Sequence, residues 1–145
     1  ETLFLIQLDK EGRRLAAFTP KDPTDKTAYI SKFTKLLKDP SVNNQTILVN
    51  NVIAGSVAKF IMDGSTEITY WIHKNFWGQG IATKALKIFL DIETTRPIIG
   101  RVAFDNFGSQ KVLEKCGFFK IGSENGYANE RQAIIKEYIY RMDKN

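Results

Sequence analysis

The chain is poor in the residues that build disulfide or metal-based cores. Among its 145 residues it has one cysteine, Cys116, and one histidine, His73. A lone cysteine excludes a disulfide within the chain and is typical of a reducing cytosol, so we predict a cytoplasmic location. With one histidine and one cysteine, the usual nitrogen and sulfur ligands of zinc are missing, and we expect no metal.

Long hydrophobic runs are also missing. The apolar run at residues 3–8, LFLIQL, is far shorter than a membrane-spanning helix requires. No basic leader precedes it, so we expect no targeting segment and no membrane partner.

The excess of positive charge is modest. A net charge of +5 and a pI near 9.3 favour anionic partners only in a general way. The basic residues are scattered among acids, as in Lys10-Glu11 and Glu114-Lys115, and no Lys/Arg run with interleaved aromatics occurs. We therefore favour a solvated surface and expect no nucleic acid, while a basic nucleic-acid-binding module stays open as an alternative.

The length and the hydrophobic content predict one domain, residues 1–145, with its own core. Its middle reads as a meander of β-rich runs at 46–49, 52–62 and 66–73. Asn50-Asn51 and Asp63-Gly64 separate these runs, and both pairs suit tight hairpin turns. Gly55 inside the second run indicates a bulge.

Helices and strands are predicted on both sides of this meander. Before it, LFLIQL is interpreted as a first strand, residues 11–17 as a helical turn, and Asp22-Pro23-Thr24 as the start of a helix that ends at Asp39-Pro40. After it, the pattern predicts helices at 79–94 and 108–116 and strands at 98–105, 118–123 and 133–142, with Asn125-Gly126 and Asn129 in the last connection. This order predicts an α+β (mixed α/β) fold, with one mixed sheet between helices on both faces.

A glycine-rich stretch lies between the third β-rich run and the helix that follows. It reads Gly78-Gln79-Gly80-Ile81-Ala82-Thr83. Glycines adopt backbone angles closed to other residues, and the first amides of a helix have no partner within it. Such a loop predicts a phosphate cradle, with a plain tight turn as the alternative. It is neither a P-loop, since Gly-Lys-Ser/Thr is absent, nor a dinucleotide fingerprint, since the third glycine is missing.

A second motif, NFGSQKVLEKCGF, runs from Asn106 to Phe118 after a predicted strand. Together the two motifs resemble the GNAT superfamily of acyl-CoA-dependent N-acetyltransferases, above all the branch with the ribosomal-protein N-terminal acetyltransferases. Trp77 stands where the family more often has Gln or Arg. The resemblance implies a single GNAT-type domain with a mostly antiparallel twisted sheet of about 6–7 strands. It also implies an acetyl-CoA-binding core at residues 46–145 and an acceptor side at residues 1–45.

The resemblance further implies which residues bind the acetyl-CoA co-substrate. The glycine-rich loop would hold the pyrophosphate, and the end of the preceding strand would meet the pantetheine arm. The implied residues are Trp71, Ile72, His73, Gly78, Gln79, Gly80, Ile81, Ala82, Thr83, Asn106, Ser109 and Lys111. Ordinary alternatives stay open for three of them, namely a helix cap for Asn106 or Ser109 and a solvated helix lysine for Lys111.

Direct acetyl transfer to an amine needs a base, a stabilised oxyanion and a way to neutralise the departing thiolate. The resemblance implies Glu67 as the base, ahead of His73, while a solvated or salt-bridged strand carboxylate is the alternative. A backbone N–H near Ile72 or His73 is expected to stabilise the oxyanion. Leu113 stands where many GNAT enzymes carry a Tyr acid, and Ser109 matches the proposed acid of the ribosomal-type branch.

Two further expectations concern Cys116 and the partners of the chain. Cys116 is interpreted as buried structure and not as a nucleophile, because free cysteines are among the most buried residues. The acceptor is expected to be a protein N-terminal α-amine or a small-molecule amine. A non-catalytic acyl-CoA-binding domain and a homodimer both stay open.

Overall fold

The computed structural model describes residues 2–17 and 22–143, which contain five α-helices, six strands and one short 3-10 helix. The helices are α1 (Thr2–Gln7), α2 (Lys10–Ala16), α3 (Lys26–Lys38), α4 (Ile81–Ile92) and α5 (Phe107–Lys115). The strands are β1 (Asn43–Val49), β2 (Val52–Met62), β3 (Ser65–Ile72), β4 (Ile98–Ala103), β5 (Phe119–Ala128) and β6 (Ala133–Met142). The 3-10 helix, Lys74–Phe76, follows β3 directly.

The strands form one sheet in the order β1-β2-β3-β4-β6-β5. Neighbouring strands are antiparallel except β3 and β4, which run parallel. Two successive hairpins build the β1-β2-β3 half, and a crossover through α4 adds β4 in parallel, as a helical connection does. The predicted mixed, mostly antiparallel sheet is confirmed.

The two faces of the sheet carry different helices. On one face, Ile68 and Ile72 of β3 pack in the main core with Leu86 and Phe89 of α4 and Leu113 of α5. On the other face, α1 contacts β2, and α2 contacts β4. Since the side chains of a strand alternate between faces, the odd-numbered residues of β3 point to α1 and α2. The predicted placement of helices on both faces is confirmed.

The two hairpin turns of the meander lie where the sequence predicts them. Asn50 and Asn51 have φ values of 51° and 65°, and Asp63 and Gly64 have 50° and 79°. Positive φ at both central residues is the signature of the two-residue turn that matches strand twist. The bulge predicted at Gly55 is also present, because Ile47 pairs with Gly55 whereas the next residue of β1 pairs with Ile53.

The interpretation of LFLIQL as a first strand is wrong, since all of these residues except the last lie in α1. Phe4 and Ile6 are buried while Leu5 between them is 60% exposed. A short apolar run does not by itself distinguish a strand from a buried helix. The helix is held by tertiary contacts: the Phe4 ring lies 5.2 Å from that of Tyr29 on α3, and Gln7 Nε2 donates to the carbonyls of Phe4 and Pro23. Packing here overrides local β propensity.

The connection predicted at Asn125-Gly126 is also wrong, because both residues lie within β5. They pair with Lys136 and Ile135 of β6, and the turn comes later, between Ala128 and Ala133. Glycine weakens a strand but does not end it when the partner strand continues.

Candidate active site

A cleft opens where the parallel strands β3 and β4 separate. Their register includes only Glu67 with Ile99 and Ile68 with Gly100, after which the strands are no longer paired. A cavity of about 850 Å³ occupies this opening. Of the implied acetyl-CoA-binding residues, those that line it are Trp71, Ile72, Gly78, Gly80, Ile81, Ala82, Thr83, Asn106, Ser109 and Lys111. Tyr70, Trp77, residues of α2 and further residues at and after the start of α5 also line it.

The glycine-rich loop faces this cavity with its backbone. Gly78 and Gly80 have φ values of 75° and 73°, and a Cβ atom at either would meet no atom within 4 Å. Gly80 is the N-cap of α4 and offers no side chain to its first amides. Those amides lack partners within the helix and carry the positive end of its dipole. The loop therefore presents an uncapped helix N-terminus to the cavity, which suits a diphosphate.

Side-chain hydrogen bonds hold the approach to this loop. Trp77 Nε1 donates to the Ile72 carbonyl at 2.9 Å, and Gln79 Nε2 donates to the Asn75 carbonyl at 3.0 Å. Trp77, the departure from the commoner family residue, thus ties the loop back to the end of β3. Gln79 turns to the 3-10 helix and does not line the cavity.

His73 is engaged in the backbone and does not line the cavity. Its N–H donates to the Ala54 carbonyl at 2.7 Å, and its Nδ1 accepts from the Asn75 amide at 3.0 Å. The amide of His73 is therefore not free to face an oxyanion. Of the two expected amides, Ile72 stays the candidate.

The start of α5 brings Asn106, Ser109 and Tyr70 together. Asn106 caps the helix, with Oδ1 accepting from the Ser109 amide at 3.2 Å and Nδ2 donating to the Leu15 carbonyl at 3.3 Å. The cap is thus Asn106, and the Ser109 side chain is left for another role. Its Oγ lies 2.6 Å from Tyr70 Oη. Leu113 is buried in the core and contributes nothing polar.

Sequence reasoning missed Tyr70. Glu67 and Trp71, both expected in the site, share one face of β3, whereas Tyr70 lies on the other face. Its contact with Ser109 joins residues 39 positions apart in the chain, so only the packing of α5 on the sheet reveals it.

Glu67 is buried, with 3% of its surface exposed. Both of its carboxylate oxygens accept from Arg101 Nε, at 3.1 and 3.2 Å. Arg101 also contacts Glu124 at 3.2 Å and Glu137 at 3.7 Å. Glu67 lies on the α2 side of the sheet and does not line the cleft. Its surroundings are those of a salt-bridged strand carboxylate, the alternative to a base. Its role as a base stays a prediction.

A second cavity of about 590 Å³ lies between α1, α3 and the sheet. Trp71 lines both this cavity and the cleft. Tyr29 and Phe33 give it an aromatic wall, and the carboxylates of Asp22 and Asp25 also line it. Lys32 lines the cavity as well, so its walls are mostly apolar and carry both signs of charge.

Burial shifts the pKa of two groups near the cleft. Desolvation raises the pKa of Tyr70 to about 12, although its hydrogen bond with Ser109 acts the other way. Desolvation also raises the pKa of Cys116, whose Sγ donates to the Thr83 carbonyl at 3.5 Å. A buried neutral thiol is a poor nucleophile. The structural interpretation of Cys116 agrees with this environment.

Residues 2–17 and 22–143 contain no group of three His, Cys, Asp or Glu side chains placed to hold a metal ion. Among the helices of the same residues, none has the length and apolar character needed to cross a membrane.

Comparisons with known proteins agree with this geometry. A family model described as an acetyltransferase (GNAT) domain matches residues 1–119. An uncharacterized N-acetyltransferase, p20 of Bacillus licheniformis, is 25% identical over 94% of this chain and 82% of its own length.

Two solved structures illustrate the similarity of fold. The microcin C7 self-immunity acetyltransferase MccE, in complex with acetyl-CoA and AMP, has a TM-score of 0.77 at 23% identity, over 99% of this chain and 85% of its own. RimL, a ribosomal L7/L12 α-N-protein acetyltransferase in complex with coenzyme A, has a TM-score of 0.77 at 17% identity, over 99% of this chain and 85% of its own.

Proposed function

The chain belongs to the GNAT acetyltransferase family, and from this membership we propose that it binds acetyl-CoA in the β3–β4 cleft and acetylates a primary amine directly. The observation that carries this proposal is the uncapped N-terminus of α4, which faces the cleft behind two glycines of positive φ. The family membership confirms the resemblance inferred from the two sequence motifs. It leaves the acceptor unspecified.

We propose that the amides of residues 78–83 bind the pyrophosphate of acetyl-CoA. Positive backbone charge at a helix start favours a diphosphate, and the missing Cβ atoms let it approach closely. Lys111, which lines the same cavity, adds a cation from α5. The side-chain amide of Asn106 already bonds to the Ser109 amide and the Leu15 carbonyl. It would therefore reach the pantetheine arm only by giving up one of these two hydrogen bonds.

The acceptor is proposed to enter from the α1 and α3 side, which assigns residues 1–45 to the acceptor and residues 46–145 to acetyl-CoA. The second cavity supports this division, because Trp71 connects it to the cleft. A protein α-amine is the preferred acceptor, and a small-molecule amine is the alternative. The pKa of an α-amine is about 7.7–8.0 against about 10.4 for lysine, so roughly two to three hundred times more of it is free base at neutral pH.

Glu67 and Ser109 are the proposed catalytic residues. Glu67 would accept the amine proton through water, and Ser109 would face the departing sulfur. No covalent enzyme intermediate is needed. A cytoplasmic location, with neither nucleic acid nor a membrane as a partner, remains our prediction from composition.

The proposal is tested by acetyl-CoA binding in calorimetry, followed by thiol release with a panel of acceptors. Peptides with a free N-terminus and no lysine are matched with N-terminally blocked peptides that contain one lysine, and small amines form a third set. Turnover of the first set supports the preferred acceptor, and turnover of the third set alone supports a small-molecule amine. Absence of acetyl-CoA binding would refute the proposal.

A second candidate is a non-catalytic acyl-CoA-binding domain. Two observations favour it: Leu113 cannot donate a proton, and the ion pair with Arg101 engages both oxygens of Glu67. Saturable binding of acetyl-CoA without turnover of any acceptor would select this candidate.

A further inference from the structure

Tyr70 and Ser109 form a pair of hydroxyls in the wall of the cleft. Tyr70 extends from β3 and Ser109 lies in the first turn of α5, and both line the cavity. Tyr70 Oη is 2.6 Å from Ser109 Oγ and 3.3 Å from the Ser109 carbonyl oxygen. Since O–H···O hydrogen bonds are usually about 2.7–2.8 Å long, the hydroxyl of Ser109 is the main partner of Tyr70.

Either hydroxyl of this contact can be the donor, and acidity favours Tyr70. Each hydroxyl has one proton, and a phenol is a stronger donor than an alcohol. When Tyr70 donates to Ser109 Oγ, the hydroxyl proton of Ser109 takes no part in this hydrogen bond and can point into the cavity. Asn106 caps the Ser109 amide, which fixes the backbone from which this hydroxyl extends.

We propose that Tyr70 is a positioning residue that directs the Ser109 hydroxyl to the sulfur of the departing coenzyme A. The inference rests on the proposed function. The amine nitrogen forms the new C–N bond, the C–S bond breaks with its electron pair on sulfur, and the proton of the amine leaves through water to Glu67. Ser109 then donates a hydrogen bond to the thiolate where the charge develops, which is the kind of stabilisation that accelerates such steps.

Ser109 acts here as a hydrogen-bond donor and not as a proton source. The pKa of Tyr70 is about 12, whereas a thiol resembling cysteine has a pKa near 8.5. The phenol therefore keeps its proton beside a thiolate. The pair stabilises the thiolate in place of the Tyr acid that many GNAT enzymes carry at the position of Leu113. It does so without titrating near neutral pH.

Besides two lysines of α5, the charged groups that line the cavity around the pair are Arg14 of α2 and Asp105, which follows β4. Cys116, the C-cap of α5, lies near Tyr70, and burial raises the pKa of its thiol. Lys111 and Lys115 of α5 line the same cavity and contribute positive charge. Their effect on a bound thiolate is common to all variants of Tyr70 and Ser109, so differences between variants report on the hydroxyls.

The first test compares Tyr70→Phe, Ser109→Ala and the double variant. Tyr127→Phe is the control, since Tyr127 is an exposed tyrosine of β5. Loss of one hydrogen bond predicts that kcat of Tyr70→Phe falls about threefold to tenfold while KM for acetyl-CoA stays within about twofold. The kcat of the double variant should equal that of Ser109→Ala, because both substitutions remove the same hydrogen bond to the sulfur. Full additivity of the two losses would overturn the proposal.

The second test measures no turnover. Binding of coenzyme A relative to desulfo-coenzyme A is followed by calorimetry from about pH 7 to about pH 9, across the thiol pKa. The wild-type protein should favour the thiolate, so its preference for coenzyme A rises with pH. That rise should shrink about threefold to tenfold in Tyr70→Phe and remain in Tyr127→Phe.

Failures of the two proposals are distinguishable. Equal kcat and equal pH dependence in Tyr70→Phe and Tyr127→Phe, with coenzyme A still bound, would overturn the role of Tyr70 alone. Absence of coenzyme A binding in the wild-type protein would overturn the proposed function and this inference with it. Thermal unfolding of each variant verifies that it is folded under the conditions used.

Discussion

Replacing Gly80 by valine tests the loop that opens α4, and Gly64 provides a matched control. Both glycines have left-handed backbone angles, with φ of 73° and 79°, and a Cβ atom at either would meet nothing within 4 Å. Gly80 lines the cleft, whereas Gly64 lies in the β2–β3 hairpin turn and lines neither cavity. The two substitutions therefore differ in their relation to a ligand and hardly at all in their local strain.

The expected loss of stability is the same for both variants. A side chain in the left-handed region costs about 1–2 kcal/mol, and a β-branched one lies at the upper end. For a domain of this size, 1 kcal/mol lowers Tm by about 2–4 °C, so each variant should melt about 2–8 °C below the wild type. Thermal unfolding without ligand measures this loss of stability, which is common to both variants.

Binding separates the two variants. At an acetyl-CoA concentration of about 100 times Kd, the wild type and Gly64→Val should each gain about 2.7 kcal/mol of stability. The valine at position 80 would occupy the space of the pyrophosphate. A loss of affinity of about a hundredfold would leave only about 0.4 kcal/mol at the same concentration. Thermal shift gives this difference, and calorimetry gives Kd directly.

An equal gain of stability in Gly80→Val and Gly64→Val would refute the phosphate cradle. A loss of ligand stabilisation in both variants would instead mean that strain in either turn disrupts the fold. Only selective loss at position 80 supports the proposed loop.

The remaining predictions concern the base, the bulge and acid stability. Glu67→Gln should lower kcat by about a hundredfold or more if Glu67 is the base, with acetyl-CoA binding kept. Glu124→Gln removes an exposed partner of the same arginine and serves as the control, and unchanged activity of Glu67→Gln would falsify the assignment. Gly55→Ala would place a Cβ 1.9 Å from a carbonyl oxygen of β3, so urea denaturation should show a loss of about 2–4 kcal/mol, whereas Gly122→Ala, with nothing within 4 Å, should change little. The hydrogen bond from Arg131 holds the pKa of Asp105 below its usual range, so its stabilising effect is complete above about pH 5 and declines as the pH falls further. Asp105→Asn should thus be less stable than the wild type at neutral pH, with a difference that shrinks as the pH falls below about 4, and a pH-independent difference in urea midpoints would contradict this.

The features that the sequence predicts well are those set by neighbouring residues. Asn50-Asn51 and Asp63-Gly64 form the expected hairpins because their residue types tolerate positive φ. Gly78 and Gly80 open α4 as expected for the same reason. In each case the backbone preference of two residues decides the geometry, and no distant contact is needed.

Errors occur where distant contacts decide. The short apolar run LFLIQL fits a strand as well as a helix, and contacts with the ring of Tyr29 and the carbonyl of Pro23 accompany the helix that it forms. Tyr70 was missed because its partner comes from α5. Glu67 was assigned from its position in the strand, and the ion pair with Arg101, 34 residues away, could not be inferred from that position.

The cleft itself is explained by the way β3 ends. The bulge in β2 places the Ala54 carbonyl where it accepts from the His73 amide at 2.7 Å, just beyond the last residue of β3. The indole N–H of Trp77 in turn donates to the Ile72 carbonyl. The Ile72 carbonyl, which points to the β4 side, is thus bonded to the loop and not to β4, and bulges are common next to active sites. The stretch that follows β3 therefore both occupies a pairing group at the edge of the cleft and carries the helix start that faces it.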